Sequence, residues 1–235
     1  MKTTPPRFHS RHHAGHLLAQ ALRQYAHRQD LLVLGLPRGG VPVAFEVAQA
    51  LRAPLDLIVV RKLGVPGWEE VAMGAISCGG HRILNRDVIR RAGVTPDQIK
   101  AATARELREL HRREIAYRNR TGAPDIKGKT VLLVDDGIAT GSTLHAAIQV
   151  LRAQQPTALV VAAPIASEAA VESILPEVDD LIALHIPETF GSVSQWYEDF
   201  DQTTDAEVKR LLALASQPAP PQDSASSRQL APAPP

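Results

Sequence analysis

The sequence has few cysteines and few aromatic residues, and both shortages narrow its class. Its 235 residues include one cysteine, Cys78, so a disulfide within the chain is excluded and a reducing compartment such as the cytoplasm is expected. Aromatic residues make up 4% of the chain. Any aromatic side chain near a candidate site therefore carries more weight than it would in an average protein.

The chain also lacks long apolar runs and an excess of either charge. No run reaches membrane-spanning length, and the polar, histidine-rich N-terminus does not resemble a secretory signal. The formal net charge is +1, which gives no argument for a nucleic acid or membrane partner. Neither a P-loop Gly-Lys-Ser/Thr nor a Gly-x-Gly-x-x-Gly motif occurs. The missing motifs count against a general α/β phosphatase or nucleotide-binding domain, and a cytoplasmic location is expected.

Apolar runs alternating with helical patterns predict an α/β fold with a five-stranded parallel core sheet flanked by helices. The expected core strands are 31–36, 55–60, 131–134, 158–164 and 180–185. We expect a single domain over 1–215, with an N-terminal helix over 8–28 and a β-hairpin and long helix inserted within 64–129. Residues 216–235, rich in Pro, Ala and Ser, are predicted to form a disordered tail.

One stretch combines a strand, two carboxylates and a loop of small and hydroxylated residues. The apolar run 131–134 is followed by Asp135 and Asp136. The loop that precedes the next helix is Ala139-Thr140-Gly141-Ser142-Thr143. Its glycine, hydroxyls and free helix N–H groups suit a phosphate, and the carboxylates beside it suit sugar hydroxyls or a metal ion. A phosphorylated sugar with Mg²⁺ satisfies both halves, whereas a buried strand ending in a solvated acidic N-cap is the simpler alternative.

This stretch resembles the phosphoribosyl-diphosphate (PRPP) signature of type I phosphoribosyltransferases. The resemblance spans about residues 31–200 and implies the fold of that family. It implies that Asp135 and Asp136 hold the ribose hydroxyls and that residues 139–143 wrap the 5′-phosphate. It also implies that Mg²⁺ is held chiefly by PRPP near the acidic pair, with no dedicated protein cage. Gly137 departs from the family pattern, which more often has an aliphatic residue there.

The resemblance extends to a second anion loop and to a pair of cations. Arg38-Gly39-Gly40 follows the first core strand, where the family grips the diphosphate and often has a non-proline cis peptide. Arg61 and Lys62 follow the second expected core strand and are also assigned to the diphosphate. The alternatives are an ordinary turn for the glycines and a solvated strand end for the cations.

The resemblance also assigns parts that cover the site. The family inserts a mobile catalytic loop in the 64–129 region, and Glu69 and Glu70, beside Trp68, are candidate acids or bases there. Residues from about 186 to 215 would form a hood over the base, with Phe190 as the candidate stacking ring. Trp196, Tyr197 and Phe200 are expected to pack that hood onto the core.

The implied reaction is the Mg²⁺-dependent transfer of phosphoribose from PRPP to a nitrogenous base, by a homodimer. Ala139 stands where enzymes for 6-oxopurines usually carry an acidic residue, so the identity of the base is open. A PRPP- or nucleotide-binding regulator without catalysis is the alternative.

Charge and histidine are unevenly distributed along the chain. Residues 81–120 hold eleven Arg or Lys, whereas 153–208 hold none and eleven Asp or Glu. The basic insertion could dock on the acidic part, recruit an anionic substrate, or form a solvated face. Four N-terminal histidines include pairs at helical spacing, which could bind metal but are more simply a polar helix face: His9, His12, His13 and His16.

Overall fold

The computed structural model describes residues 7–77, 80–117 and 124–217. Its centre is a sheet of five parallel strands in the order β2-β1-β6-β7-β8, which confirms the predicted fold class. The sheet strands are β1 (Leu31–Gly35), β2 (Leu55–Leu57), β6 (Thr130–Val134), β7 (Ala158–Ile165) and β8 (Asp180–His185). Every residue of β1 and β6 is buried, as expected of parallel strands covered on both faces.

Two helical layers cover the sheet and bury alternate residues of the same strands. On one face, α1 (Arg11–Ala21) and α2 (Gly40–Leu51) pack against Val33, Leu132 and Val134. On the other face, α5 (Ser142–Arg152) and α6 (Glu168–Ile174) pack against Leu34 and Leu133. The period-two alternation of strand side chains thus feeds two separate cores.

A second, antiparallel sheet stands beside the first in the order β3-β4-β5. Its strands are β3 (Val60–Val65), β4 (Trp68–Ser77) and β5 (Arg82–Leu84), and it is followed by α3 (Arg86–Arg91) and α4 (Pro96–Tyr117). The expected second core strand, 55–60, was wrong at its end. The core strand stops at Leu57, and Val60 already pairs with Ser77 of β4. Arg61 and Lys62 therefore lie within β3.

Local signals account for where two of the helices begin. The Asn85 side chain accepts hydrogen bonds from the first backbone N–H groups of α3. At α4, Thr95 and Gln98 exchange side chain–backbone hydrogen bonds around Pro96, the first helical residue. Both are side-chain caps of N–H groups that have no partner inside the helix.

The N-terminal helix is shorter than 8–28. It begins at Arg11 because Ser10 caps it, and a separate 3-10 turn (Arg23–Tyr25) follows it. Phe8 lies before the helix and pairs in parallel with Tyr197. Of the hairpin turn predicted at Gly79-Gly80, Gly79 lies outside the described residues, and so does the tail from 218 onward. The domain limits stay a prediction.

The chain after β8 forms a 3-10 turn (Val193–Trp196) and α7 (Asp205–Ala215). Trp196 and Tyr197 are buried against Phe8 and Ile165, as expected of residues that fasten this segment to the core. Helix α7 instead packs beside α2 and α4, away from that cluster. Among the described helices, none is both long and apolar enough to cross a membrane.

Candidate functional site

The acidic pair lies against the glycine loop at the carboxyl edge of the parallel sheet. Asp135 and Asp136 follow β6, and the loop 38–40 follows its neighbour β1. A Cβ added to Gly39 would lie 2.0 Å from Asp136 Oδ2, and one added to Gly40 would lie 2.6 Å from the Val134 carbonyl oxygen. Only glycine allows this approach, so the two segments predicted to bind one ligand are in direct contact.

The two carboxyl groups of the pair have different surroundings. Asp136 accepts a hydrogen bond from Arg11 Nε at 2.7 Å. Burial raises the pKa of the Asp135 carboxyl well above its usual range, and the charge of Asp136 adds to the rise. Tyr197 donates its hydroxyl hydrogen to the Asp136 carbonyl oxygen at 2.6 Å, and burial raises its own pKa. The pair is thus a packed acidic centre.

The predicted phosphate loop encloses a small cavity beside the pair. The cavity has a volume of about 140 Å³ and is lined by Asp135 and residues 137–144. Gly141 has φ of 68° and caps α5 without a side-chain hydrogen bond. The first N–H groups of a helix have no partner within it. The Ser142 N–H lies 3.5 Å from Thr140 Oγ1, and the N–H groups that follow it at the start of α5 are available to an anion at this cavity. The local geometry suits the phosphate that the sequence predicts here, and we call this loop and its cavity the phosphate cradle.

Helix α6 supports the phosphate loop from behind. Ser167 Oγ donates to the Ala139 carbonyl oxygen at 2.6 Å. His145, in the first turn of α5, contacts Glu177 Oε1 at 3.0 Å and Ser173 Oγ at 3.2 Å. These contacts connect both ends of the loop to one helix and its following turn, so the loop conformation is held before any ligand arrives.

A larger cavity, of about 450 Å³, adjoins the phosphate loop. Two predicted cations, two predicted acid or base residues and two residues at the start of α5 line it: Arg61, Lys62, Glu69, Glu70, Ser142 and Thr143. Lys62 Nζ lies 3.3 Å from Glu70 Oε2. The predicted diphosphate cations and the predicted acid or base residues thus share one cavity next to the phosphate cradle.

Comparisons with known proteins identify the family. Residues 9–191 match the model of the phosphoribosyl transferase domain. The chain belongs to the phosphoribosyl transferase domain family.

Two relatives cover most of this family member. The Mycobacterium tuberculosis protein named "Putative phosphoribosyl transferase Rv0571c" is 45% identical over 208 residues, which are 88% of this chain and 47% of that one. This chain therefore spans about half the length of that relative. The crystal structure of TT1426 from Thermus thermophilus has 40% identity and a TM-score of 0.83, covering 90% of this chain and all of that one.

A more remote relative is a ribose-phosphate pyrophosphokinase from Methanopyrus kandleri, which is 29% identical over 187 residues. These are 66% of this chain and 61% of that one. Together with the strand order, the family match shows that the fold is the type I phosphoribosyltransferase fold.

The glycine loop of this family member has the non-proline cis peptide that the resemblance led us to expect, between Pro37 and Arg38. The Arg38 side chain, however, does not line the cavity that holds Arg61. Its Nη1 lies 3.5 Å from Asp205 Oδ1 at the start of α7. The three predicted diphosphate cations are therefore divided between two places in this structure.

Sequence reasoning missed the residues of α4 in the larger cavity, which are Arg105, Glu106 and Arg113. Glu106 is buried and accepts from Arg61 Nε at 2.8 Å and from Arg105 Nε at 3.0 Å. Burial alone would raise the pKa of Glu106, but the two guanidinium groups lower it below its usual value. The spacing of Arg105, Glu109 and Arg113 marks one helix face, but no sequence signal shows what that face contacts.

Two arginines of α4 bear on the charge asymmetry. Arg112 and Arg113 both bind Glu109 of their own helix, at 2.8 and 2.7 Å. Among the described residues neither forms an ion pair with the acidic part 153–208, but the charge of Asp205 in that part adds to the rise that Glu109 causes in the pKa of Arg112. Helix α4 packs beside α7 of the acidic part, so the insertion contacts that part within one chain without an ion pair from these two arginines.

Phe190 belongs to the segment that follows β8, and Gly137 contacts that segment. Phe190 is half-buried against the cluster of Phe8 and Trp196, and its carbonyl oxygen accepts from Trp196 Nε1 at 3.0 Å. A Cβ on Gly137 would lie 2.5 Å from Val193 Cγ1. Gly137, the departure from the family pattern, is thus explained by the close packing of the hood on the signature.

Two of the N-terminal histidines contact a carboxylate that is distant in sequence. Nδ1 of His12 and of His16 lie 2.6 and 3.0 Å from the two oxygens of Glu46 on α2. In the described ranges, no group of three or more His, Cys, Asp or Glu side chains is arranged to hold a metal ion. The polar helix face therefore packs on a buried carboxylate.

Proposed function

We propose that the protein transfers the phosphoribosyl group of PRPP to a nitrogenous base or related acceptor and releases diphosphate. The proposal includes dependence on Mg²⁺, a cytoplasmic location and a homodimer. The observation that carries it is the contact of the glycine loop 38–40 with Asp136, beside the phosphate cradle at 139–143. The proposed sugar site and the two proposed anion sites then share one sheet edge, where α/β folds bind ligands.

In this proposal, Asp135 and Asp136 accept hydrogen bonds from the ribose 2′ and 3′ hydroxyls. The N–H groups at the start of α5 bind the 5′-phosphate, with the Thr140, Ser142 and Thr143 hydroxyls. A ligand fixed at both places has its C1 held in one orientation, and such fixing lowers the entropic part of the barrier. Mg²⁺ bound to PRPP would neutralise part of the diphosphate charge near Asp135 and Asp136, whose oxygens are ligands that Mg²⁺ prefers.

The C1–O bond to diphosphate breaks as a ring nitrogen of the acceptor bonds to C1, and the electron pair of the broken bond leaves with diphosphate. Arg61, Lys62 and Arg38 would offset the charge on that leaving group. Glu69 or Glu70 would accept the proton of the acceptor nitrogen, since both line the cavity beside the cradle. Phe190 would stack on the acceptor from the hood.

Ala139 makes an acceptor of the 6-oxopurine type less favourable. Its side chain is a methyl group at the position from which a carboxylate would reach the base, and its carbonyl oxygen is already bound by Ser167. We therefore propose that the acceptor is recognised without a carboxylate from the phosphate loop.

A regulator that binds PRPP or a nucleotide without turnover is the second candidate. One observation favours it: each of the three cationic side chains assigned to the diphosphate forms an ion pair with a carboxylate of the same chain. Arg61 pairs with Glu106, Lys62 with Glu70, and Arg38 with Asp205. A bound diphosphate has to displace these carboxylates, and a regulator could use that displacement to signal that PRPP is bound.

Incubation with PRPP, Mg²⁺ and a panel of purine and pyrimidine bases separates the two candidates. The measurement is diphosphate release, with the variant Asp135→Asn as control. Release that depends on one base and is lost in the variant supports the transferase. PRPP binding without release on any base supports the regulator. No PRPP binding contradicts the transferase and a PRPP-binding regulator.

A further inference from the structure

Arg11 connects the acidic pair to the segment after β8. Its Nε donates to Asp136 Oδ2 at 2.7 Å, and its Nη1 donates to the Asp201 carbonyl oxygen at 2.7 Å. The guanidinium carbon also lies 3.9 Å from the centre of the Phe200 ring. Three segments far apart in sequence thus meet at one guanidinium, and the Arg11 side chain is only 11% exposed.

The backbone around Arg11 is bonded to the same segment. The Phe8 N–H donates to the Trp196 carbonyl oxygen at 2.8 Å. The Glu198 and Asp199 N–H groups donate to the carbonyl oxygens of Phe8 and His9, at 2.8 and 3.0 Å. Residues 8–11 and 196–201 therefore form one paired unit, which we call the clamp. Its ends reach the acidic pair through Arg11 and through the Tyr197 hydroxyl.

The charge arrangement gives Arg11 a role beyond packing. Asp135 and Asp136 are adjacent, and PRPP is itself a polyanion, so an unpaired Asp136 would repel the ligand that it has to hold. The guanidinium offsets this charge through one carboxylate oxygen and fixes the plane of the carboxylate. A charge-assisted hydrogen bond of this length is among the stronger single polar contacts in proteins.

We propose, on the basis of the phosphoribosyl transfer proposed above, that Arg11 is a positioning residue that orients the Asp136 carboxylate for the ribose hydroxyls. Through the clamp it also connects the residues that follow β8 to the PRPP site. Neither Arg11 nor residues 196–201 belong to the stretch 131–143 that carries the PRPP signature, so the clamp extends the site to both ends of the fold.

The experiment measures PRPP affinity by calorimetry with Mg²⁺ present, and thermal midpoints, for the full chain and for Arg11→Met. The matched control is Arg28→Met. Arg28 also binds a carboxylate in two places, Asp30 at 3.1 and 3.0 Å, and a third partner, Thr130. Thr130 begins β6, so this arginine lies at the sheet edge opposite the site.

We expect Arg11→Met to weaken PRPP binding roughly 10- to 100-fold, because it removes a hydrogen bond between charged groups. Arg28→Met should lower the thermal midpoint and leave PRPP affinity unchanged. Arg11→Lys should recover part of the affinity because it restores the charge. In an Asp136→Asn background, Arg11→Met should have little further effect on PRPP affinity, since the two residues act through one contact.

Wild-type affinity in Arg11→Met overturns the positioning role while leaving the proposed function intact. Equal losses of affinity in Arg11→Met and Arg28→Met would show a loss of fold stability alone and also overturn it. Absence of PRPP binding by the wild-type chain overturns the proposed function and this role together. Increased hydrogen exchange at Glu198 and Asp199 in Arg11→Met, with no such increase in Arg28→Met, supports the clamp in the ligand-free protein.

Discussion

Substitution of Gly39 by alanine tests whether the site needs the space that a glycine leaves. Backbone conformation is not a second explanation for a loss at this position. Gly39 has φ −61° and ψ −34°, an ordinary right-handed conformation that alanine adopts readily. In an open setting, alanine here would stabilise the chain by up to about 1 kcal/mol, because it loses less backbone entropy on folding than glycine does. Any loss caused by Gly39→Ala therefore comes from the contact that the new methyl group makes.

That contact is severe and falls on the proposed ribose site. The added Cβ would lie 2.0 Å from Asp136 Oδ2 and 3.2 Å from Arg11 Nε, whereas ordinary contacts begin near 3.4 Å. The carboxylate has to move by more than about 1 Å, away from the hydrogen bond that holds it. A displacement of about 1 Å at a reacting centre can cost about 100-fold in rate.

We expect Gly39→Ala to reduce PRPP affinity, or the rate of diphosphate release, by about 100-fold with a small change in thermal midpoint. The control is Gly128→Ala, where an added Cβ meets nothing within 4 Å but φ is +71°. That variant should lose about 1–2 kcal/mol of stability from left-handed strain and keep its PRPP affinity. Wild-type PRPP affinity in Gly39→Ala would refute the reasoning.

Three further predictions follow from contacts outside the glycine loop. Gly137→Val should lower stability by about 1–3 kcal/mol in urea unfolding, because its side chain would overlap Val193, and Val193→Ala should restore part of the loss. Arg61→Met should weaken inhibition by diphosphate and destabilise the chain by about 1–3 kcal/mol, since buried Glu106 loses a guanidinium partner. The arginines beside Glu109 lower its pKa to about 2, so its contribution to stability is present above about pH 4.5 and lost as the pH falls toward 2. The difference in thermal midpoint between wild type and Glu109→Gln should shrink over that interval.

Each of these predictions has a contradicting result. If Val193→Ala does not restore stability to Gly137→Val, the loss does not come from contact with Val193. Unchanged inhibition by diphosphate in Arg61→Met would remove this residue from the diphosphate site. A pH-independent difference between wild type and Glu109→Gln would show that the Glu109 charge does not contribute to folding.

The parts of the fold that were predictable are those encoded by local patterns. Unbroken apolar runs and the helices that follow them gave the five parallel strands, and capping residues such as Asn85 and Thr95 marked helix starts. The end of the second core strand was wrong because the apolar run continues to Val60 while the backbone changes sheets after Leu57. An apolar run indicates that its residues are buried, but it does not indicate which of two sheets they belong to.

The candidate site also has one part that a local motif predicts and another part that it does not. The acidic pair and the phosphate loop lie within nine consecutive residues, so one local motif contains them. Arg11 reaches Asp136 across 125 positions, and Glu106 reaches Arg61 across 45. Neither arginine nor Glu106 has a neighbouring residue that indicates its partner. Long-range ion pairs of this kind depend on the packing of whole helices, which a single sequence does not reveal.

The most direct test of the central claim is the affinity of the chain for PRPP with Mg²⁺, measured by calorimetry in wild type, Asp135→Asn and Asp136→Asn. The account predicts saturable binding at one site per chain in wild type. It predicts a loss of roughly 10-fold or more in each variant, because each replaces one carboxyl oxygen by an amide nitrogen, which cannot accept a hydrogen bond from a ribose hydroxyl. Equal affinity in all three proteins, or no binding in wild type, would contradict a PRPP site at the acidic pair.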